Sequence, residues 1–178
     1  DEEGGSVTRL SNILNNSIFS QKYFGDLYNI DKKIGLSIYK SYIKSVSNYL
    51  RNFGININTS PVLDLFEKKS HKIIGNRSYS ENPITVNMLG RSCVKFYKNN
   101  KISTVIKHIP GHGKANVDSH FKLPIIKDNL RSLTRKDFKC FKNLKSHFAM
   151  TAHILYENID RKNNGTHSKI LIKKIIRK

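Results

Sequence analysis

A short β-type run, a polar loop and a helical pattern follow one another about three times along this chain, and that order constrains its fold more than any other feature. Ile55–Thr59 alternates as a strand does, and Pro61 should end it because proline cannot continue a central ladder. The loop from Phe66 leads to Pro83, placed as the first position of a helix through about Asn100, with Met88, Val94 and Tyr97 or Phe96 inward. A second strand, Ile102–Ile106, precedes a loop and then a helical stretch over Leu130–Leu144, with Leu133, Phe138 and Phe141 inward. A third apolar run, Phe148–Met150, is followed by turn-rich sequence and an amphipathic helix from Ser168. Strands that alternate with helices argue for a parallel sheet, with functional loops at the strands' carboxyl ends.

Upstream of these units, residues 11–31 are polar and turn-rich. Asp31 then caps a long helical pattern ending near Phe53 at Gly54. Ile34, Ile38, Tyr42, Val46 and Tyr49 or Leu50 recur at three- and four-residue spacing, which predicts a buried face. Three units cannot close a (β/α)8 barrel, which takes about 250 residues. The chain is therefore expected to be either a small doubly wound sheet or part of a barrel. Its opening on DEEGG without an initiator Met, and its end inside a helix, favour one incomplete domain over 1–178, cut at both ends.

The formal charge is +19, from 32 Lys and Arg against 13 Asp and Glu. The lysines are dispersed rather than gathered in a stripe, and they accompany many Asn and Ile, the usage of an AT-biased genome. That pattern reads as solvated faces, not as a specific nucleic-acid surface. No apolar run has membrane-spanning length. Cys93 and Cys140 fit no metal spacing and are expected as buried free thiols, which points to a reducing compartment.

Chemistry concentrates in Lys107–Pro124, KHIPGHGKANVDSHFKLP, where Lys107, His108, His112, Asp118 and His120 share a loop with two glycines and two prolines. A carboxylate two residues from a histidine can fix its tautomer and leave the other ring nitrogen free for proton transfer. A structural hydrogen bond by a loop His explains the Asp118–His120 pair equally well. Lys107-His108 can donate to ligand hydroxyls, although the pair alone is better read as a solvated Lys and a packed His. A metal site from His108, His112, Asp118, His120 and His153 is disfavoured, because no HxH or HExxH accompanies it.

This loop resembles the signature of glycoside hydrolase family 3, in its bacterial β-N-acetylglucosaminidase branch, which reads KHFPGHG, a spacer, DSH, then LP. Four further segments resemble that family in order: DEEGG with Arg9, SPVLDL at 60–65, IGNRSY at 74–79 and MTAHILY at 150–156. The resemblance spans essentially the whole chain. It implies a partial (β/α)8 TIM-type barrel and retaining hydrolysis of terminal β-N-acetylglucosamine from muropeptide-derived saccharides in cytoplasmic cell-wall recycling. The full-length protein would be a monomer with no cofactor and no metal. By the same resemblance His120 is the acid/base, oriented by Asp118, while Asp1, Arg9, Arg77, Lys107 and His108 bind the sugar. His153 would lie beside that face. The family's nucleophilic Asp falls in a strand beyond Lys178, so the 178 residues alone are expected to be inactive. The alternative is a catalytically inactive sugar-binding module.

Overall fold

A computed structural model describes residues 1–67, 74–117 and 121–177. Asp118 and His120 lie outside the described residues. Three strands form one sheet in the order β1 (Ile57–Asn58), β2 (Ser103–Ile109), β4 (Phe148–Thr151), all parallel. A second parallel pair joins β3 (Ile125–Ile126) to β5 (Leu155–Tyr156). Helices α1 (Gln21–Ile30), α2 (Lys32–Asn52) and α3 (Pro83–Asn99) precede β2, and α4 (Leu130–Arg135) and α5 (Lys169–Leu171) follow it. The α/β class with parallel strands and alternating helices is as expected. No helix among the described residues is long and apolar enough to cross a membrane.

Helix ends follow their capping chemistry. The Asp31 carboxylate accepts from the backbone N–H groups of Lys33 and Ile34 at 2.8 and 2.9 Å, starting α2 where expected. Asn82 does the same for Ile84 N–H at 2.9 Å, with Pro83 opening α3. Ser168 Oγ accepts from Leu171 N–H at 3.1 Å, but the expected terminal helix is only α5, passing into a π turn over Ile172–Ile176. Cys93 and Cys140 are buried free thiols.

Several expectations change. The stretch 11–31 contains α1, capped by Ser20, whose apolar residues pack on α2. On α2 the buried residues are Gly35, Tyr39, Ile43, Val46, Ser47 and Leu50, while Ile34, Ile38 and Tyr49 are exposed. Both sets have helical spacing and share Val46 and Leu50, so periodicity alone left the phase ambiguous. Tertiary contact decides it: α1 closes over Gly35, and the Tyr39 hydroxyl meets that of Tyr79 at 2.5 Å. Met88 likewise faces outward, while Val86, Leu89 and Cys93 join Val94 and Tyr97 in the core.

The stretch Leu130–Leu144 is α4 followed by a 3-10 turn, Phe138–Phe141, and not one helix. Leu133, Phe138 and Phe141 are all buried. The first two are five positions apart, about 140° around a regular helix, so the chain must tighten to bury both. β1 is shorter than the expected Ile55–Thr59, and Val62 bridges Lys107 beyond it. β2 is longer than expected, because Lys107 and His108 lie in the strand and not in the loop. Lys107 N–H donates to Pro61 O at 3.1 Å, and Leu63 N–H donates to Lys107 O at 2.7 Å, so the ladder continues through Lys107, while the register with β4 shifts between Lys107 and Ile109.

Asp137 packs behind the start of that loop, against Gly111. It is buried, and neither carboxylate oxygen has a hydrogen-bond partner among the described residues. Burial pushes its carboxyl up to about 7, against the pull of Lys114 and with the charges of Glu67 and Asp64 adding to the rise.

Two outcomes are expected. In α1, a Cβ at Gly25 would fall 1.8 Å from the carbonyl oxygen of Tyr79. Gly25→Ala should therefore destabilise by about 1–3 kcal/mol in urea unfolding. Helix propensity alone would give a gain of about 1 kcal/mol, and a measured gain would contradict the close approach. For Asp137 the folded state holds its proton more tightly than the unfolded chain, so stability falls as pH rises from about 4 to about 7. Asp137→Asn should then be more stable than the parent at pH 8 by on the order of 1–3 kcal/mol. That advantage should shrink toward pH 4, and thermal melts showing a pH-independent difference would contradict it.

Candidate functional site

The site begins with the turn that follows Asp1. Gly4 and Gly5 have φ of +81° and +64°, two successive left-handed residues that side chains disfavour. Glu2 fastens the turn from inside. Its carboxylate accepts from the N–H groups of Arg9 and Leu10 at 2.7 and 3.0 Å, and from Thr8 Oγ1 and Asn16 Nδ2. Its own N–H donates to Asn58 Oδ1 of β1 at 2.9 Å, while Asn58 Nδ2 donates back to Glu2 O at 2.7 Å. This ties the turn to the sheet and leaves Asp1 and Glu3 beside the carboxyl ends of β1 and β2.

Glu3 is the hinge of the charge arrangement. Its side chain is 1% exposed and binds Lys107 Nζ at 2.6 Å and Arg77 Nε and Nη2 at 2.8 and 3.0 Å. Lys107, 3% exposed, also binds Asp1 Oδ1 at 2.7 Å. Thr59 Oγ1 donates to the same Asp1 oxygen. Asp1, Lys107, Glu3 and Arg77 thus form a row of alternating charge, the arrangement that lets ions leave water at tolerable cost. Burial pushes the Glu3 carboxyl up, but the Arg77 hydrogen bond and the charges of Lys107 and Arg77 outweigh it and hold it below the usual range. Burial draws the Lys107 ammonium below its ordinary value, with Glu3 pulling the other way.

A second buried carboxylate, Asp64, lies one strand over. It is fully buried and takes His108 Nδ1 at 2.6 Å and the His112 N–H at 2.6 Å. Burial pushes its carboxyl up, and the His108 charge and hydrogen bond, with those of His112, reverse this and hold it low. Burial lowers His112, with Asp64 opposing, so its imidazole stays neutral at pH 7.

A cavity of about 330 Å³ opens over these groups. Asp1, Arg9, Arg77, Lys107 and His108, the five positions expected to bind sugar, all line it. Glu3 and His112 complete its polar wall. His153 does not line the cavity; its Nε2 lies 3.1 Å from Asn164 Nδ2, and its ring meets that of His167. Among the described residues no group of three or more His, Cys, Asp or Glu is placed to hold a metal ion. Asp64 and Glu3, the two buried carboxylates that hold these groups, were not singled out from the sequence. A carboxylate inside the apolar run VLDL is one signal, because a buried charge requires a partner. The wall offers hydroxyl acceptors and donors whose charges are largely matched within the protein, chemistry suited to a neutral polyhydroxylated ligand.

The glycosyl hydrolase family 3 N terminal domain profile matches residues 1–178. Beta-hexosaminidase A of Pseudoalteromonas piscicida is 33% identical over 165 residues, covering 90% of this chain and 27% of that protein. The beta-hexosaminidase of Hydrogenovibrio crunogenus is 26% identical over 180 residues, covering 99% of this chain and 50% of that protein. This chain thus spans half or less of the length of these two curated relatives. Native NagZ from Neisseria gonorrhoeae superposes with a TM-score of 0.90 at 28% identity, over 100% of this chain and 52% of that one. The same enzyme has been solved with N-trifluoroacetyl-D-glucosamine, and that structure matches with a TM-score of 0.91. With the parallel sheet, the cavity at its carboxyl ends and a profile match along its whole length, this chain belongs to glycosyl hydrolase family 3, as its N-terminal, TIM-barrel-like domain.

Proposed function

We propose that these residues form the sugar-binding and acid/base part of a retaining β-N-acetylglucosaminidase that releases terminal non-reducing N-acetylglucosamine from muropeptide-derived saccharides. The observation that carries this reading is the meeting of Asp1, Arg9, Arg77, Lys107 and His108 around one cavity. In this reading the ammonium of Lys107 and the imidazole of His108 hold ring hydroxyls, and Arg77 and Arg9 also contact the sugar. His120, oriented by Asp118, protonates the glycosidic oxygen as the bond to the anomeric carbon breaks. A carboxylate attacks that carbon to give a glycosyl-enzyme, and water, deprotonated by the same His, then releases the sugar.

By its resemblance to the family, the nucleophilic carboxylate belongs to a strand outside the present sequence. The 178 residues should therefore bind the sugar without cleaving it. Two buried free thiols fit a reducing cytoplasm, where a recycling enzyme would meet muropeptide fragments. The matched charges around the cavity favour a neutral sugar over an anionic ligand or a nucleic acid.

Calorimetric titration with N-acetylglucosamine tests this. Saturable binding is expected, weakened about tenfold or more by Lys107→Met, equivalent to ~1.4 kcal/mol or more. Equal binding by parent and variant, or none by the parent, would overturn the reading. Turnover of a chromogenic N-acetylglucosaminide by the 178 residues, abolished in His120→Ala, would overturn the assignment of the nucleophile elsewhere.

A further inference from the structure

His108 presents two different edges. Its Nδ1 lies 2.6 Å from Asp64 Oδ2, and that carboxylate is fully buried. Its side chain is 18% exposed and lines the 330 Å³ cavity. No hydrogen bond to His108 Nε2 is made among the described residues. The edge turned away from Asp64 is thus the one left to meet a ligand.

Asp64 decides what that edge can do. An ionised carboxylate only accepts hydrogen bonds, so the shared proton must sit on Nδ1. Asp64 accepts from the His112 N–H at 2.6 Å as well as from the ring, and hydrogen bonds to the charged form favour its ionised state. The same carboxylate takes the His108 N–H at 3.4 Å, fixing backbone and ring together. In a neutral imidazole with the proton on Nδ1, Nε2 is an acceptor. Without Asp64, either tautomer could face the cavity, and a ring with its proton on Nε2 would donate to the ligand instead of accepting from it.

We propose that Asp64 is a positioning residue that locks His108 in its Nδ1–H tautomer, so that Nε2 accepts a hydrogen bond from a hydroxyl of the bound sugar. Lys107 and His108 then divide the work along one strand: the ammonium donates and the imidazole accepts. A ligand must offer a hydroxyl hydrogen at one position and a lone pair at its neighbour. This pairing selects a polyol over a ligand bearing an ether or carbonyl oxygen at the His108 position. The proposal rests on the sugar-binding reading for its ligand, but the tautomer is a property of the chain alone.

The test is a two-bond proton–nitrogen correlation spectrum of the chain with nitrogen-15 histidine at pH 8, with and without N-acetylglucosamine. The expected result is a protonated Nδ1 and a bare Nε2 on His108, with the Nε2 resonance moving on saturation. A protonated Nε2 on the free chain would overturn the proposal without any variant. Binding that leaves His108 Nε2 unmoved would overturn its role toward the ligand. The expected tautomer with no binding at all would instead overturn the sugar-binding reading and leave the lock by Asp64 standing. Asp64→Asn, whose amide can donate to Nδ1, should give a mixture of tautomers and about tenfold weaker binding. His108→Gln, which can still accept, should recover most of the affinity. If Asp64→Asn fails to fold, the spectrum of the parent and the Gln variant decide the matter.

Discussion

Lys107 and Glu3 meet at 2.6 Å with almost no exposure to water, and most of the site depends on that contact. A buried ammonium is costly without a carboxylate, and the reverse holds for Glu3. Each therefore requires the other's element to be in place: β2 in register for Lys107, and the Gly4-Gly5 turn for Glu3. Glu3 then fixes Arg77 on the far side, and Lys107 fixes Asp1 on the near side. Removing one partner leaves an uncompensated charge in the interior, a loss of about 3–5 kcal/mol in comparable cases. The cavity wall is thus part of the fold's own electrostatics rather than a decoration on it.

Titration acts on this site in two directions. Glu3 and Asp64 are held below the ordinary carboxylate range, so the stability they supply is present above about pH 4 and is lost as acid protonates them. His112, held below its ordinary value, resists protonation in the fold and adds to the loss on acidification below about pH 6.5. Asp137 runs the other way, since it prefers its proton while folded. The loop from Pro110 thus sits between Asp64, which must be charged to hold it, and Asp137, for which charge is unfavourable.

The parts of this structure legible in the sequence are those decided locally. Asp31 and Pro83 announce their helices because first-turn chemistry is decided within a few residues. The phase of α2 was not legible, because Ile34-Ile38 and Gly35-Tyr39-Ile43 are both helical stripes and only contact with α1 and Tyr79 separates them. α1 was hidden by the Asn, Asp and Gly25 around it, although Phe24, Leu27 and Tyr28 already stand at helical spacing. Lys107 looked like a loop residue, since a lysine inside a buried strand is implausible until its two carboxylates are seen. The five cavity-lining positions were found through motif resemblance. Glu3 and Asp64 were not, because their partners lie 104 and 44 positions away.

The cavity at the ends of β1 and β2 is the proposed seat of a neutral sugar. A crystal structure of the chain soaked with N-acetylglucosamine tests that most directly. The ring should lie in the cavity bounded by Asp1, Arg9, Arg77 and Lys107, with hydroxyls on Lys107 Nζ and His108 Nε2 and with the Lys107–Glu3 pair intact. A sugar bound on another face, or one that enters only by displacing Glu3 from Lys107, would contradict it.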